Sequence, residues 1–347
     1  MKNNGPIRTV IVDDSAFVRK VVREMLSGSP HIEVVGMANN GEDALQLVET
    51  VKPDVVTCDL VMPILDGVGF VRKQMSRRAV PILILAASAQ DTEQVLEALE
   101  AGAVDFIQKP TALANNDLLK VREELVQKVR AAASVASPPV IAKPTPGAPK
   151  KVCRKTHARF DIVVLGISTG GPQALRYLVP QFPADFPVPL AIVLHMPVGY
   201  TALFAEKLAE ISCLPVKEAF EDCLVNPGEV LIASAGRHLK FKKDNVGSVR
   251  VHLSMEPMEK AHRPSVDVLF ESAAEHYGKR ALGVVMTGMG DDGALGAGLI
   301  KAKGGTILTQ DKESCVIYGM PRTVVEAGLS DAAVPLSCMA EEIIKRL

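Results

Sequence analysis

A serine in a short turn, between an apolar run and a predicted helix, has the setting of a nucleophile. The segment reads V-V-L-G-I-S-T-G-G-P over residues 163–172, and Ser168 lies where the apolar run ends. Pro172 suits the first turn of a helix, so the pattern predicts a strand, a tight turn and a helix. Free backbone N–H groups at that helix start would stabilise negative charge developing beside the hydroxyl. The alternative interpretation is a plain strand-to-helix turn without chemistry.

The same turn could instead bind a dinucleotide. Gly166, Ser168 and Gly171 occupy the glycine positions of the pattern G-x-G-x-x-G. A serine at the middle position, however, obstructs the approach of the backbone to a pyrophosphate. The next apolar run, V-P-L-A-I-V-L, ends in His195 and not in the acid that would bind a ribose. A histidine at this point favours a general base for the serine over a dinucleotide site.

A serine nucleophile with a histidine base also needs an acid that orients the imidazole. Asp291 and Asp292 follow the apolar run A-L-G-V-V-M-T, within the segment G-M-G-D-D-G. Two adjacent carboxylates would repel a pyrophosphate, so we do not interpret this glycine pattern as a nucleotide site. The residues alone leave open which of the two acids orients His195. The glycines would let backbone N–H groups reach an oxyanion, and Met289 is the leading candidate for an additional donor.

A second set of reactive residues, here called the acidic cluster, follows predicted strands in the first third of the chain. Asp13 and Asp14 end the run T-V-I-V-D-D, and Asp59 ends the run D-V-V-T-C-D. Lys109 follows the run V-D-F-I-Q. One lysine does not neutralise three carboxylates, and a set of oxygen ligands favours Mg²⁺. The cluster therefore predicts a magnesium site where Asp59 accepts a phosphoryl group and Lys109 pairs with the product.

The elements that must position the acidic cluster alternate strictly along the chain. Five apolar runs and five amphipathic segments follow one another, which predicts a parallel sheet with helices on both faces. The flavodoxin-like strand order 2-1-3-4-5 places strands 1 and 3 side by side, so the cluster converges in one crevice. The predicted helices cover residues 15–27, 41–51, 68–77, 92–101 and 117–133.

The alternation is interrupted over residues 131–157, where proline, alanine and basic residues dominate and no acid occurs. This composition indicates a semi-extended linker between two domains. The expected domains are residues 1–130 and 158–347, both α/β and doubly wound, with the second larger and mostly parallel. In the second domain, helices are predicted from residue 172 and over 201–211, 266–277, 321–327 and 339–347, with a hairpin over 238–253.

Composition excludes several classes of function. The chain has 347 residues and a formal net charge of −1, which is not the electrostatic pattern of a nucleic-acid-binding protein. No apolar run reaches the roughly 18 residues that a membrane span needs, and the first residues lack a signal-peptide core. The six cysteines are scattered without C-x-x-C spacing, which is typical of reduced thiols. We expect a cytoplasmic protein without nucleic-acid partners or membrane insertion.

The first domain resembles the receiver domain of response regulators. The resemblance rests on T-V-I-V-D-D-S, C-D-L-V-M-P-I-L-D-G and I-Q-K-P, which occur in the order found in receivers. It implies that a histidine kinase phosphorylates Asp59. It also implies that Asp13 and Asp14, with Asp59, hold Mg²⁺.

Three further positions of the receiver are compared in the same way. The resemblance implies that Lys109 and Phe106 belong to the phosphorylation switch. Receivers usually carry serine or threonine at the end of strand 4, where this chain has Ala86. Ser88 lies two residues further on and is the hydroxyl that could compensate.

The second domain resembles the protein-glutamate methylesterase domain of the CheB family. The resemblance rests on G-I-S-T-G-G-P, H-M-P-V-G-Y-T, H-R-P-S-V-D, T-G-M-G-D-D-G and Y-G-M-P-R. It implies that Ser168 is the nucleophile, His195 the base and Asp292 the acid. It further implies that Thr169 helps to place the imidazole and that the Met289 N–H belongs to the oxyanion hole. No role is assigned to H-R-P-S-V-D or Y-G-M-P-R.

The resemblance implies a phosphorylation-regulated hydrolase that demethylates glutamate methyl esters on chemoreceptors and deamidates particular glutamines. The expected partners are methyl-accepting chemotaxis receptors as substrate and a chemotaxis histidine kinase as phosphodonor. Mg²⁺ is expected in the receiver, no cofactor is expected for the esterase, and the protein is expected at receptor clusters in the cytoplasm. Two alternatives stay open: a receiver-gated hydrolase of another ester or amide, and a non-catalytic phosphorylation-dependent binding module.

Overall fold

The chain divides into two compact units, residues 1–140 and 141–347. Most of the predicted linker and the residue Ser88 lie outside the described residues, so the domain limits 130 and 158 stay predictions. No helix among the described residues is long and apolar enough to cross a lipid bilayer. The computed structural model describes residues 5–87, 91–109, 115–134 and 159–347.

The first unit contains the predicted alternation of strands and helices. Its elements are β1 Ile7–Val12, α1 Ala16–Ser27, β2 Ile32–Ala38, α2 Gly41–Val51, β3 Val55–Asp59, α3 Gly67–Arg77, β4 Ile82–Ala86, α4 Thr92–Glu100, β5 Asp105–Gln108 and α5 Asn115–Ser134. The five strands are parallel and lie in the order β2-β1-β3-β4-β5, which confirms the predicted topology. The central strands β3 and β4 are buried along their whole length, as expected of a sheet covered on both faces.

Polar side chains fix the starts of three helices in this unit. Ser15, Asn40 and Asp66 each precede a helix and accept a hydrogen bond from a backbone N–H of its first turn. Since Ser15 directly follows the two acids after β1, its cap also holds that loop in place. The short connections of the acidic cluster are therefore defined by capping chemistry as well as by the sheet.

The second unit contains a seven-stranded sheet and a separate two-stranded hairpin. Its elements are β6 Ile162–Ile167, α6 Gly171–Leu178, β7 Leu190–Leu194, α7 Thr201–Ala209, β8 Val216–Glu218, β9 Val230–Ile232, β10 His238–Lys243, β11 Val249–Ser254, α8 Val266–Tyr277, β12 Ala281–Val285, α9 Ala294–Ala302, β13 Thr306–Gln310, α10 Met320–Glu326, β14 Ala332–Val334 and α11 Leu336–Arg346. The large sheet has the order β14-β13-β12-β6-β7-β9-β8, and all of its paired neighbours are parallel. The strands β12, β6 and β7 lie side by side at its centre.

The helix α9 and the strand β14 of the second unit were not predicted from the sequence. The helix α9 carries Gly296 and Gly298, and glycine lowers helix propensity. A Cβ added at Gly296 would lie 2.5 Å from the Phe270 Cβ, so this glycine permits close packing of α9 on α8. The strand β14 has three residues and pairs only with β13 at the sheet edge. In the first unit, α5 continues to Ser134, four residues into the predicted linker.

Candidate functional site

Three adjacent strand ends bring the predicted catalytic residues to one edge of the large sheet. Ser168 follows β6, His195 follows β7, and the segment 288–293 follows β12. The Ser168 N–H donates to the Thr287 carbonyl oxygen at 3.0 Å, and the His195 N–H donates to the Ile167 carbonyl oxygen at 3.2 Å. Because the strands are parallel neighbours, their carboxyl ends share one site.

The turn at Ser168 depends on glycines that allow close approach of the backbone. Gly170 has a φ of +78°, a conformation that L side chains rarely adopt, and it precedes α6. The Gly171 N–H donates to the Ser168 carbonyl oxygen at 2.7 Å, which closes the turn. A Cβ added at Gly288 would lie 2.8 Å from the Ser168 Cβ, so the backbone after β12 touches the serine. Met289 follows directly and is half-buried.

The structure brings His195 together with one of the two candidate acids. The Nε2 atom of His195 lies 2.9 Å from Oδ2 of Asp292, while Asp291 is exposed. The two paired side chains are 7% and 11% exposed, respectively. Since a carboxylate only accepts, Nε2 carries the proton of the neutral imidazole. The other nitrogen, Nδ1, is buried and has no hydrogen-bond partner among the described residues, so it is free to accept a proton.

The Asp292 carboxylate lies at the amino terminus of α8. It accepts hydrogen bonds from the Ser265 hydroxyl at 2.8 Å and from the N–H groups of Val266 at 2.8 Å and Asp267 at 3.0 Å. Burial opposes the charged form, but the bond to His195 and these amides hold the pKa of Asp292 well below its ordinary value. Asp292 is therefore an anion at neutral pH, and its donors fix its orientation.

The helices α8 and α9 cap each other around this carboxylate. The Asp267 carboxylate, in the first turn of α8, accepts hydrogen bonds from the N–H groups of Gly293 and Gly296 at 2.9 Å each. It also pairs with the Lys260 ammonium at 2.9 Å. Asp292 precedes α9 and accepts hydrogen bonds from N–H groups of α8. The loop between β12 and α9 is therefore fixed by hydrogen bonds to the amino termini of both helices.

The segment H-R-P-S-V-D, which received no role in the sequence analysis, contributes to this site. The His262 ring stacks on His195 with 4.1 Å between the ring centroids and 17° between the planes. Ser265 from the same segment binds Asp292, and its N–H donates to Nδ1 of the buried His238 at 3.2 Å. The motif was visible in the sequence. Its role was not, because its contacts join residues that are far apart in the chain.

The segment Y-G-M-P-R, together with Ile317 directly before it, supports the site from the side of β12. The N–H of Gly288 donates to the Ile317 carbonyl oxygen at 3.0 Å, and the N–H of Met320 donates to the Gly288 carbonyl oxygen at 2.9 Å. The Thr287 hydroxyl donates to the Thr169 carbonyl oxygen at 3.0 Å and accepts from the Ile317 N–H at 3.0 Å. Thr169, predicted to help place the imidazole, is thus buried directly beside Ser168 and tied to this scaffold.

The acidic cluster converges as predicted in the first unit. Ligand oxygens of Asp13, Asp14 and Asp59 all lie within 4.8 Å of one another. The Lys109 ammonium lies 2.7 Å from Asp13 and 2.9 Å from Asp59. Burial raises the pKa of Asp59 above its ordinary value, and the contact with Lys109 offsets only part of this increase. One cation among three carboxylates leaves an excess of hard oxygen ligands, so the donor set fits Mg²⁺.

Two other receiver positions are buried. Ala86 ends β4 without a hydroxyl and is fully buried, and Ser88 lies outside the described residues. Phe106 is buried in β5, where the Lys128 ammonium donates to its carbonyl oxygen at 2.7 Å and lies 5.8 Å from its ring centroid. The side chain predicted as the switch aromatic is therefore packed inside this unit.

Comparison with known proteins assigns each of the two units to a family. Residues 163–343 match the family described as CheB methylesterase, and residues 9–121 match the response regulator receiver domain. The chain is 48% identical to protein-glutamate methylesterase/protein-glutamine glutaminase 5 of Myxococcus xanthus, over 96% of each chain. It is 40% identical to the protein-glutamate methylesterase/protein-glutamine glutaminase of Halalkalibacterium halodurans, over 98% of each. The crystal structure of the Thermotoga maritima CheB methylesterase catalytic domain matches with a TM-score of 0.53 and 41% identity, covering 54% of this chain and 99% of that one.

Proposed function

Because the chain belongs to the CheB methylesterase family and carries a receiver domain before its catalytic unit, we propose that it demethylates glutamate methyl esters and deamidates specific glutamines of chemoreceptors, using Ser168, His195 and Asp292. Phosphorylation of the receiver regulates this hydrolysis. The observation that carries the proposal is the 2.9 Å contact between His195 and Asp292 at the strand end beside Ser168.

Acylation begins when the Ser168 hydroxyl attacks the ester carbonyl carbon. His195 accepts the hydroxyl proton at Nδ1 as the Oγ–C bond forms, and Asp292 stabilises the imidazolium through Nε2–H. The tetrahedral oxyanion is bound by backbone donors, for which Met289 N–H is the proposed member. When the intermediate collapses, the C–O bond to the methoxy group breaks, and His195 returns its proton to release methanol.

Deacylation repeats the same steps with water as the nucleophile. His195 takes a proton from water as the oxygen attacks the acyl carbon, and it then protonates Ser168 Oγ as the Oγ–C bond breaks. The product is a glutamate carboxylate. Deamidation follows the same route, but the leaving group is ammonia because the substrate is a glutamine side chain. Thr169, tied to the turn scaffold, supports the placement of the imidazole.

The receiver supplies the regulated step. An Asp59 oxygen attacks the phosphorus atom of the phosphohistidine of a chemotaxis kinase, so a P–O bond forms, the P–N bond breaks and the kinase histidine leaves. Asp13, Asp14 and Asp59 would hold Mg²⁺, which when bound offsets the negative charge of the phosphoryl oxygens. Lys109, already within 2.9 Å of Asp59, pairs with the acyl phosphate and, with Phe106, transmits the change.

Methyl-accepting chemotaxis receptors are the proposed substrates, so we place the protein at receptor clusters in the cytoplasm. Methanol release from receptor membranes carrying radiolabelled methyl esters tests this function. The substitution Ser168→Ala removes the nucleophile and is expected to lower the rate by about 10³-fold or more. The control Ser337→Ala changes an exposed serine of α11 and should retain the rate. Normal methanol release by the folded Ser168→Ala variant would contradict the assignment.

A further inference from the structure

Residues 257–265 form a strap that joins the hairpin to α8. His238, a fully buried histidine of the hairpin, contacts both ends of the strap. Its Nε2 lies 3.1 Å from the Pro257 carbonyl oxygen, and its Nδ1 accepts the Ser265 N–H at 3.2 Å. Burial lowers the pKa of His238, which keeps Nδ1 available as an acceptor. The Arg263 guanidinium donates to the Met258 carbonyl oxygen at 3.1 Å across the strap. These bonds define the conformation of the strap.

The strap holds His262 over the catalytic imidazole. The two rings are nearly parallel and 4.1 Å apart between centroids. His262 is exposed, whereas the His195 side chain is 7% exposed. His262 therefore covers one face of the His195 ring and shields that face from solvent.

The stacking and the acid contact constrain different motions of the His195 ring. The bond from Nε2 to Asp292 limits rotation within the ring plane, while the stacked ring limits tilting of that plane. Together they fix the direction of Nδ1, the nitrogen that accepts the proton.

The charged groups next to this pair have contacts of their own. Lys260 on the strap pairs with Asp267 at 2.9 Å, and the Arg263 guanidinium is bonded within the strap. Asp292 faces the opposite ring nitrogen of His195 and is held by α8. The contact that the strap makes with the His195 ring is thus the stacked ring of His262.

We infer that His262 is a positioning residue of the esterase reaction, which acts by stacking on His195 and not by exchanging protons with the substrate. This inference rests on the proposed function. It assigns a role to H-R-P-S-V-D beyond the binding of Asp292 by Ser265.

Substitution of His262 tests the role through kcat. His262→Ala is expected to lower kcat by about 10- to 100-fold, since small misplacement of a catalytic group has effects of that size. KM should change by less than about twofold, because substrate binding is retained. His262→Phe restores a stackable ring without a titratable nitrogen and should recover most of kcat. The control His252→Ala changes another exposed histidine, on β11. Unchanged kcat in His262→Ala, or a His262→Phe variant as slow as His262→Ala, would overturn the inference.

A measurement without substrate separates this inference from the proposed function. In the full chain labelled at histidine, the ring-proton NMR signals of His195 are identified by their loss in His195→Gln. They should shift in His262→Ala, since a stacked ring changes their magnetic environment, and stay in place in His252→Ala. If they shift but the unsubstituted protein releases no methanol, the proposed function fails while the stacking stands. If that protein releases methanol but neither signals nor kcat respond to His262→Ala, the inference about His262 fails.

Discussion

At the scale of single residues, the proposed chemistry depends on the orientation of one imidazole. His195 has a carboxylate at Nε2, a stacked ring on one face, and at Nδ1 no partner among the described residues. A buried nitrogen without a partner is unusual in folded proteins. It is what a base needs if a serine hydroxyl is to donate to it in the reactive complex.

The two adjacent acids are predicted to differ strongly in their effect on turnover. Asp292→Asn replaces an acceptor with a group that can donate, so His195 loses its preferred tautomer and kcat should fall by about 10²- to 10⁴-fold. Asp291→Asn is the matched control, since Asp291 is exposed and should leave kcat nearly unchanged. Methanol release by the two folded variants decides between them, and the reverse ranking would assign the role to Asp291.

Part of this arrangement was predictable from residue types alone. Ser168 and His195 each follow an apolar run, and parallel strands bring such ends together. The spacing could not separate Asp291 from Asp292, because both follow the same strand within a glycine-rich turn. His262 could not be found from periodicity, since its contact with His195 depends on how the strap folds back through His238.

At the scale of elements, α8 and α9 form the support of the acid. The Asp267 carboxylate of α8 accepts hydrogen bonds from N–H groups at the start of α9, and the Asp292 carboxylate before α9 accepts one from the start of α8. The helix α9 escaped prediction because glycines weaken its helical pattern, although Gly296 is required for its packing on α8. Alternating apolar runs, by contrast, predicted the strands of the first sheet, since each buried parallel strand carries its own signal. Their order was predicted from the flavodoxin-like arrangement.

Two glycines of α9 should respond oppositely to alanine. Gly296→Ala introduces a Cβ 2.5 Å from the Phe270 Cβ and 2.9 Å from the Asp267 carbonyl oxygen, so it should destabilise the fold by about 1–3 kcal/mol. Gly298→Ala is the matched control, because the nearest atom to its Cβ would be 3.9 Å away. There the gain in helix propensity should stabilise by up to about 1 kcal/mol.

Denaturant unfolding of both variants measures these differences in the free energy of unfolding. A Gly296→Ala variant at least as stable as Gly298→Ala would show that α8 and α9 are not packed as closely as described. A parallel loss of methanol release in Gly296→Ala is expected, since this helix contact supports the loop of Asp292.

At the scale of the whole molecule, two α/β units divide the chemistry between them. One presents an acidic cluster suited to phosphoryl transfer, and the other a serine, a histidine and an acid suited to ester hydrolysis. This chain matches both the receiver family and the methylesterase family, and the curated relatives match it along nearly its whole length. We propose that phosphorylation of Asp59 increases hydrolysis at Ser168.

Methanol release from methylated receptor membranes, measured with and without a small-molecule phosphodonor and Mg²⁺, tests this coupling between the two units. The phosphodonor should raise the rate of the full chain by about 5- to 150-fold, the range of typical coupling between sites. The increase should disappear in Asp59→Asn and persist in Glu33→Gln, which changes an exposed carboxylate of the same unit. An equal increase in Asp59→Asn, or no methanol release by the unsubstituted chain under either condition, would show that phosphorylation of Asp59 does not activate hydrolysis at Ser168.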